Sequence, residues 1–218
     1  MCEYGPKCPT VNECSEIKQT PLTEAEKRLI LKRHNELRSK IASGKGEYNL
    51  PSASNMRELK WNNELAKIAQ CSANQCEFQH DTCRKLLTGD EYGQNVGESV
   101  TYTSKNKDYL RVSDFVDNWY NEIDFISIDL VYSFFDYHDS STYLHFTQLI
   151  WANTNQVGCG IVRFYDDESD ENCQVMKAIL FCNYWKIGNV NNKPIYMVGK
   201  PASNCKYGVS KIYPYLCQ

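Results

Sequence analysis

The sequence contains no C-x-x-C pair, no H-E-x-x-H, no G-x-S-x-G and no N-x-S/T sequon with a permitted middle residue. The first absence argues against a structural zinc site, whose thiolate ligands ordinarily come at tight paired spacings. The second and third remove the local signatures of a metalloprotease and a serine hydrolase. The fourth predicts no ordinary N-linked glycan. Long apolar runs are missing too. The most hydrophobic region, Phe125 to Phe135, is interrupted by Ser127, Asp129 and Ser133, and falls short of the about 20 apolar residues that a membrane-crossing helix needs. Acidic and basic residues are mixed along the chain, with a net charge of −3, so no basic stripe predicts a nucleic-acid partner. There is no internal repeat.

Cysteine, by contrast, is abundant: eleven in 218 residues, at positions 2, 8, 14, 71, 76, 83, 159, 173, 182, 205 and 217. Scattered cysteines without metal-ligand spacing point to disulfides, and disulfides persist in an oxidising, extracellular compartment. Eleven is odd, so one thiol is expected to stay free or to pair between chains. The opening Met1-Cys2-Glu3 reads as a mature chain whose leader has been replaced by a Met.

Residues 1–22 are rich in Cys, Pro, Gly and polar residues and read as an irregular arm. Thr23-Glu24-Ala25-Glu26 fits a capping box, and Leu29, Ile30, Leu37 and Ile41 recur at helical spacing until Gly44 and Gly46. A second helix is predicted from Asn62 through Leu65, Ile68, Ala69 and Ala73, a third over Ser113 to Glu122, and a short fourth after Thr142 with Phe146, Leu149 and Ile150. Val157–Phe164 and Lys177–Cys182 are apolar runs of strand length separated by the acidic, turn-like 166–172, which predicts an antiparallel hairpin. Glu98 to Thr103 is a further strand candidate. Helices before and strands after give an α+β class, with helices covering a sheet.

Three blocks occur in order: Ala73-Asn74-Gln75-Cys76-Glu77-Phe78-Gln79-His80-Asp81-Thr82-Cys83-Arg84 with Gly93-Gln94-Asn95-Val96; His145-Phe146-Thr147-Gln148-Leu149-Ile150-Trp151 with Val157-Gly158-Cys159-Gly160; and Phe181-Cys182-Asn183-Tyr184 with Gly188-Asn189. Together they resemble the signature blocks of the CAP superfamily of cysteine-rich secretory, antigen 5 and pathogenesis-related 1 proteins. The first block is similar to antigen 5 of insect venom and saliva. The Cys205–Cys217 tail resembles antigen 5-related proteins of flies and fleas, which suggests a blood-feeding insect. Leu144 and Lys186 depart from the family pattern, which often has Gly or an acidic residue before the His and Pro after Cys-Asn-Tyr.

The resemblance implies a three-layer α-β-α sandwich over residues 23–200, with a disulfide-tethered arm at 1–22 and a disulfide-closed tail at 201–218. It implies pairs Cys8–Cys83, Cys14–Cys76, Cys159–Cys182 and Cys205–Cys217, and leaves Cys2, Cys71 and Cys173 unassigned. It also implies a cleft presenting two His and two acidic positions, which here fall on His80, His145, Glu122 and Gln94. The two imidazoles would be candidate Zn²⁺ ligands, although no cofactor is required. Gln94 carries no charge and cannot act as a general base, so a hydrolase needing two carboxylates loses one. The expected function is therefore binding of a small hydrophobic ligand (fatty acid, eicosanoid or sterol), with Phe125, Ile126, Leu130 and Phe134 as candidate lining. A zinc-dependent hydrolase using His80 and His145 is the enzyme alternative. A receptor-binding antagonist of host haemostasis or immunity is the other, and Thr88-Gly89-Asp90 lacks the Arg of an integrin-binding Arg-Gly-Asp loop. Binding by host IgE follows from the allergen family alone.

Overall fold

A computed structural model describes residues 21–46, 48–103, 111–136, 142–165 and 174–218, with main chain only at 17–19, 103 and 174. The arm's Cys2, Cys8 and Cys14, the 166–172 turn and Cys173 lie outside the described residues. Helix α1 (Glu24–Ala42) begins at the expected capping box: Thr23 Oγ1 accepts from the Glu26 N–H at 3.2 Å while Glu26 Oε2 accepts from the Thr23 N–H at 2.8 Å. Helix α2 (Asn63–Ala73) is capped by Asn62, whose Oδ1 accepts from the Glu64 and Leu65 amides. Helix α3 spans Val112–Asn121 and runs into a 3₁₀ turn, Glu122–Phe125; the short α4 (Ile128–Tyr132) and α5 (Leu144–Leu149) follow. Strand β1 is Ile17–Gln19, β2 Lys60–Trp61, β3 Gly93–Thr103, β4 Gln156–Tyr165 and β5 Gln174–Trp185. They form one sheet in the order β1-β4-β5-β3, antiparallel throughout, with β2 added parallel beside β4.

The period of two along β4 and β5 sorts their side chains onto opposite faces. Val162, Phe164, Ile179 and Phe181 pack with Ala69 and Ala73 of α2 on one face. Cys159, Ile161, Leu180, Cys182 and Tyr184 pack under α1, α3 and α5 on the other. The sheet is therefore the middle of three layers, as the resemblance implied. Glycine makes one of these contacts close: a Cβ on Gly160 would lie 2.3 Å from the Gln70 nitrogen, and one on Gly158 would lie 2.3 Å from the Ala66 nitrogen. Both neighbours are α2 main chain, which has no rotamer with which to yield.

Cys159 and Cys182 are cross-strand partners and disulfide-bonded. Cys205 and Cys217 close the tail, which is stitched to residues 54–58 by main-chain bonds from Cys217 N to Met56 O, Glu58 N to Cys217 O and Asn204 N to Ser54 O. Cys71, Cys76 and Cys83 are disulfide-bonded as well, so Cys71 is a bonded cysteine where the sequence left it unassigned.

The buried stripe of α1 is less apolar than its sequence pattern suggests. Leu29 is 39% exposed, whereas His34, Asn35 and Arg38 are buried. The Arg38 guanidinium donates to the carbonyls of Arg57, Leu149, Trp151 and Thr154 at 2.6–2.9 Å. Burial pulls its pKa down to about 9, with the Arg57 charge adding to the fall and the Tyr184 phenol opposing it, and the group stays protonated at neutral pH. His34 Nδ1 lies 2.8 Å from the Ile30 carbonyl, which can only accept, so this nitrogen carries the proton. Nε2 then accepts from the Tyr184 hydroxyl at 2.9 Å. Burial dominates the fall of the His34 pKa to about 4, the Ile30 hydrogen bond opposing it and the Arg38 charge adding to it.

Two outcomes follow. Gly160→Ala should cost about 1–3 kcal/mol through overpacking against α2, read as a lowered denaturant midpoint with the slope unchanged; an unaltered midpoint would contradict the close approach. His34 is neutral when folded at a pH where the unfolded chain is protonated. Its stabilisation is complete above pH 6.5 and is lost as the pH falls toward about 4, an effect on the order of 3 kcal/mol. Denaturation at pH 7, 5.5 and 4.5 should show this decline, and His34→Gln should flatten it; equal pH slopes in the two proteins would exclude His34 as the cause.

Candidate functional site

The ends of four elements meet over one edge of the sheet. His80 lies in the loop that follows α2, Gln94 and Asn95 open β3, Glu122 follows the last turn of α3, and His145 sits in the first turn of α5. His80, Gln94, Asn95 and His145 line a cavity of about 520 Å³, with Arg84, Asp136, Gln148 and the main chain at Gly188 completing its wall. Glu122 stands behind His145 and does not line the cavity.

The orientation of each imidazole follows from its neighbours. The Asp81 carboxylate, only 6% exposed, accepts from Ser72 Oγ at 2.8 Å, Tyr92 OH at 3.1 Å and Gln94 Nε2 at 2.8 Å. The same Gln94 nitrogen donates to Asn183 Oδ1 at 3.0 Å. Carboxylate and amide oxygens can only accept, so the Gln94 amide cannot be turned round without placing its oxygen against them. Its Oε1 therefore faces the Asp81 N–H and His80 Nδ1, each at 3.0 Å. An amide oxygen accepts, so His80 Nδ1 bears the proton and Nε2 keeps its lone pair. Burial lowers the His80 pKa, the Gln94 hydrogen bond opposes this, and the charges of Arg84 and His145 add to it.

On the opposite side, His145 Nδ1 lies 2.6 Å from Glu122 Oε1, while Glu122 Oε2 accepts from the Phe146 N–H at 3.0 Å. Both carboxylate oxygens are thus engaged. The Trp119 ring stacks on the imidazole, with centroids 5.9 Å apart and planes at 21°. Asn95 Nδ2 donates to the His145 carbonyl at 3.1 Å and to the Tyr184 hydroxyl at 3.3 Å, which joins the cleft to buried His34. Asn189 clamps α5 from outside: its Nδ2 donates to the Leu144 carbonyl and its Oδ1 accepts from Thr147 Oγ1.

The site therefore presents two imidazoles, each held from behind at Nδ1, on the walls of one cavity, flanked by the Arg84 guanidinium and the Asp136 carboxylate. Among the described residues no group of three or more His, Cys, Asp or Glu is assembled to hold a metal ion. A metal bound here would take two protein nitrogens and complete its shell with water or another ligand.

Sequence reasoning singled out all four of these positions, and missed Asp81, Asn183 and Trp119, which orient them. Asp81 and Asn183 stand within the quoted blocks, beside His80 and Tyr184, and were the signals available. The apolar candidates do not join this cavity. Leu130 and Phe134 are core residues, Ile126 packs half-buried against the core, and Phe125 is 62% exposed. Leu130 and Phe134 pack inside the α1–α3–α5 layer, apart from this cavity.

Residues 31–184 match the model of the CAP, or cysteine-rich secretory protein, family. The chain is 35% identical to a venom allergen 3 homolog of Dinoponera quadriceps over 91% of its length and 83% of the relative's. It is 38% identical to scoloptoxin SSD43 of Scolopendra dehaani over 93% of its length and 89% of the relative's. The solved structure of BmVAL-1 superposes with a TM-score of 0.69 at 27% identity, covering 90% of this chain and 95% of that one. The family model covers most of the chain, and relatives named as a venom allergen homolog and a scoloptoxin align along most of it, so this chain belongs to that family: it is a CAP protein.

Proposed function

We propose that this is a secreted, venom-allergen-type CAP protein that acts by binding rather than catalysis, and that its cleft takes up a divalent transition metal such as Zn²⁺ through Nε2 of His80 and Nε2 of His145. The observation that carries this reading is the pair of acceptors behind the rings. Gln94 Oε1 and Glu122 Oε1 each hold an Nδ1–H, and an acceptor on the far nitrogen is how a metal-ligating histidine is oriented. Gln94 thus serves the site as an acceptor even though it is a poor ligand. A hydrolase is disfavoured because Gln94 cannot take a proton and both oxygens of Glu122 are already committed. Bonded cysteines support an extracellular setting, and no helix among the described residues is long and apolar enough to cross a membrane.

Isothermal titration with Zn²⁺ at pH 7.5 should give a single site, and His80→Ala or His145→Ala should weaken it at least about tenfold, the change produced by losing roughly 1.4 kcal/mol. Unchanged affinity in both variants would sink the site. Gln94→Ala should weaken binding less than either, because it removes an orienting acceptor and no ligand.

A small hydrophobic ligand remains the second reading. It is favoured by the exposed Phe125, Ile128 and Tyr132, which form an apolar surface along the 3₁₀ turn and α4 with half-buried Ile126 beside it. Native mass spectrometry after delipidation and incubation with fatty acid or sterol should show retained ligand, reduced by Phe125→Ser. Absence of any adduct at micromolar lipid would remove this reading.

A further inference from the structure

Residues 186–218 contain five lysines and no Asp or Glu, in a chain whose net charge is −3. The fold concentrates part of this charge. A surface pocket of about 430 Å³, sharing no wall with the imidazole cleft, is lined by Arg57, Lys186 and Lys206 together with Asn153, Asn204 and Tyr207, and by no acidic side chain. Among the described residues none of the three cations is ion-paired.

The pocket is held in shape by the core. The Arg57 N–H donates to the Ala152 carbonyl at 3.2 Å and the Arg57 carbonyl accepts from buried Arg38. Its guanidinium lies 5.9 Å from the Tyr207 ring centroid and donates to the Asn155 side-chain oxygen at 3.1–3.2 Å, in the orientation that satisfies that amide. Lys206 lies 5.1 Å from the same ring, within the loop closed by Cys205–Cys217. Lys186 is carried past the end of β5, its ammonium 5.6 Å from the Trp185 ring. Three cations with no Asp or Glu side chain among the lining residues, around an aromatic ring that is 62% exposed, are suited to an anion that also offers a ring face, and asparagine amides on the wall suit hydroxyl groups.

We infer that this pocket binds a sulfated polysaccharide. The sulfates meet Arg57, Lys186 and Lys206, a sugar ring lies on Tyr207, and Asn153 and Asn204 bond hydroxyls. A disulfide-bonded protein meets such polyanions outside the cell. The overall negative charge makes the site local: a polyanion is repelled by the molecule as a whole and held only where the acidic residues are missing.

The test uses the full-length oxidised protein and a fluorescent heparin hexasaccharide, followed by anisotropy across a salt series. Binding is expected at low salt. Lys186→Glu with Lys206→Glu should weaken it at least about tenfold and lower the salt slope by about two, one for each lost cation. Lys32→Glu with Lys45→Glu makes the same change in net charge on and beside α1, and should leave affinity within about twofold. Unchanged melting temperatures keep folding out of the comparison. The inference is overturned if the wild type fails to bind, if both double variants lose affinity equally, or if single-stranded DNA of matched charge binds as tightly as the hexasaccharide.

Discussion

A buried positive charge without a carboxylate partner is the constraint around which this molecule is arranged. Arg38 sits inside α1 and satisfies its donors with main-chain carbonyls alone, at residues 57, 149, 151 and 154. Burying an unpaired guanidinium costs several kcal/mol unless its hydrogens are all met, so the segments supplying those carbonyls must stay where they are. Two of them lie at and just beyond the end of α5, and α5 carries His145. A third is Arg57, whose side chain forms one wall of the cationic pocket. One interaction in the core thus sets the position of both surface sites.

The layers are secured by different means on the two faces of the sheet. Under α1, α3 and α5, ordinary side-chain packing and the Cys159–Cys182 bridge close the core. Beneath α2 the contact at Gly158 and Gly160 is main chain against main chain, which draws the helix down and places the loop carrying His80 at the sheet's edge. Neither histidine is set by its own element alone. His80 is turned by Asp81 acting through Gln94, and His145 by Glu122 from α3 with Trp119 stacked on its face.

The two candidate sites divide the surface by charge and chemistry. The cleft holds two imidazoles turned by the acceptors behind them, and imidazole nitrogen suits a borderline cation. The pocket near the tail gathers Arg57, Lys186 and Lys206 around Tyr207 and suits an anion. They adjoin along the segment that leaves β5, where Lys186 lines the pocket and Ile187 and Gly188 line the cleft.

Much of this was legible in the chain. The Thr23 and Asn62 caps, the β4–β5 hairpin and the apolar positions of α2 and α3 announce themselves because local hydrogen bonding and periodicity decide them. The signature blocks singled out His80, Gln94 and His145, which line one cavity, and cysteine number and spacing pointed to an oxidising compartment. Tertiary structure alone decided the rest. It buried Arg38 and His34 and exposed Leu29, because the carbonyls of Leu149, Trp151 and Thr154 and the Tyr184 hydroxyl, over a hundred residues away, make polar burial tolerable on that stripe. It sent Leu130 and Phe134 into the core and Phe125 to the surface, a division that the apolar content of the segment does not encode. It set the tautomers of the cleft through the hydrogen-bond directions of Asp81, Gln94 and Asn183, and brought Arg57 to Lys186, Lys206 and Tyr207. Sequence determines which groups a chain carries and what each favours locally; which of them face one another depends on long-range packing, where a hydrogen-bond partner or a counter-charge is chosen by distance in space.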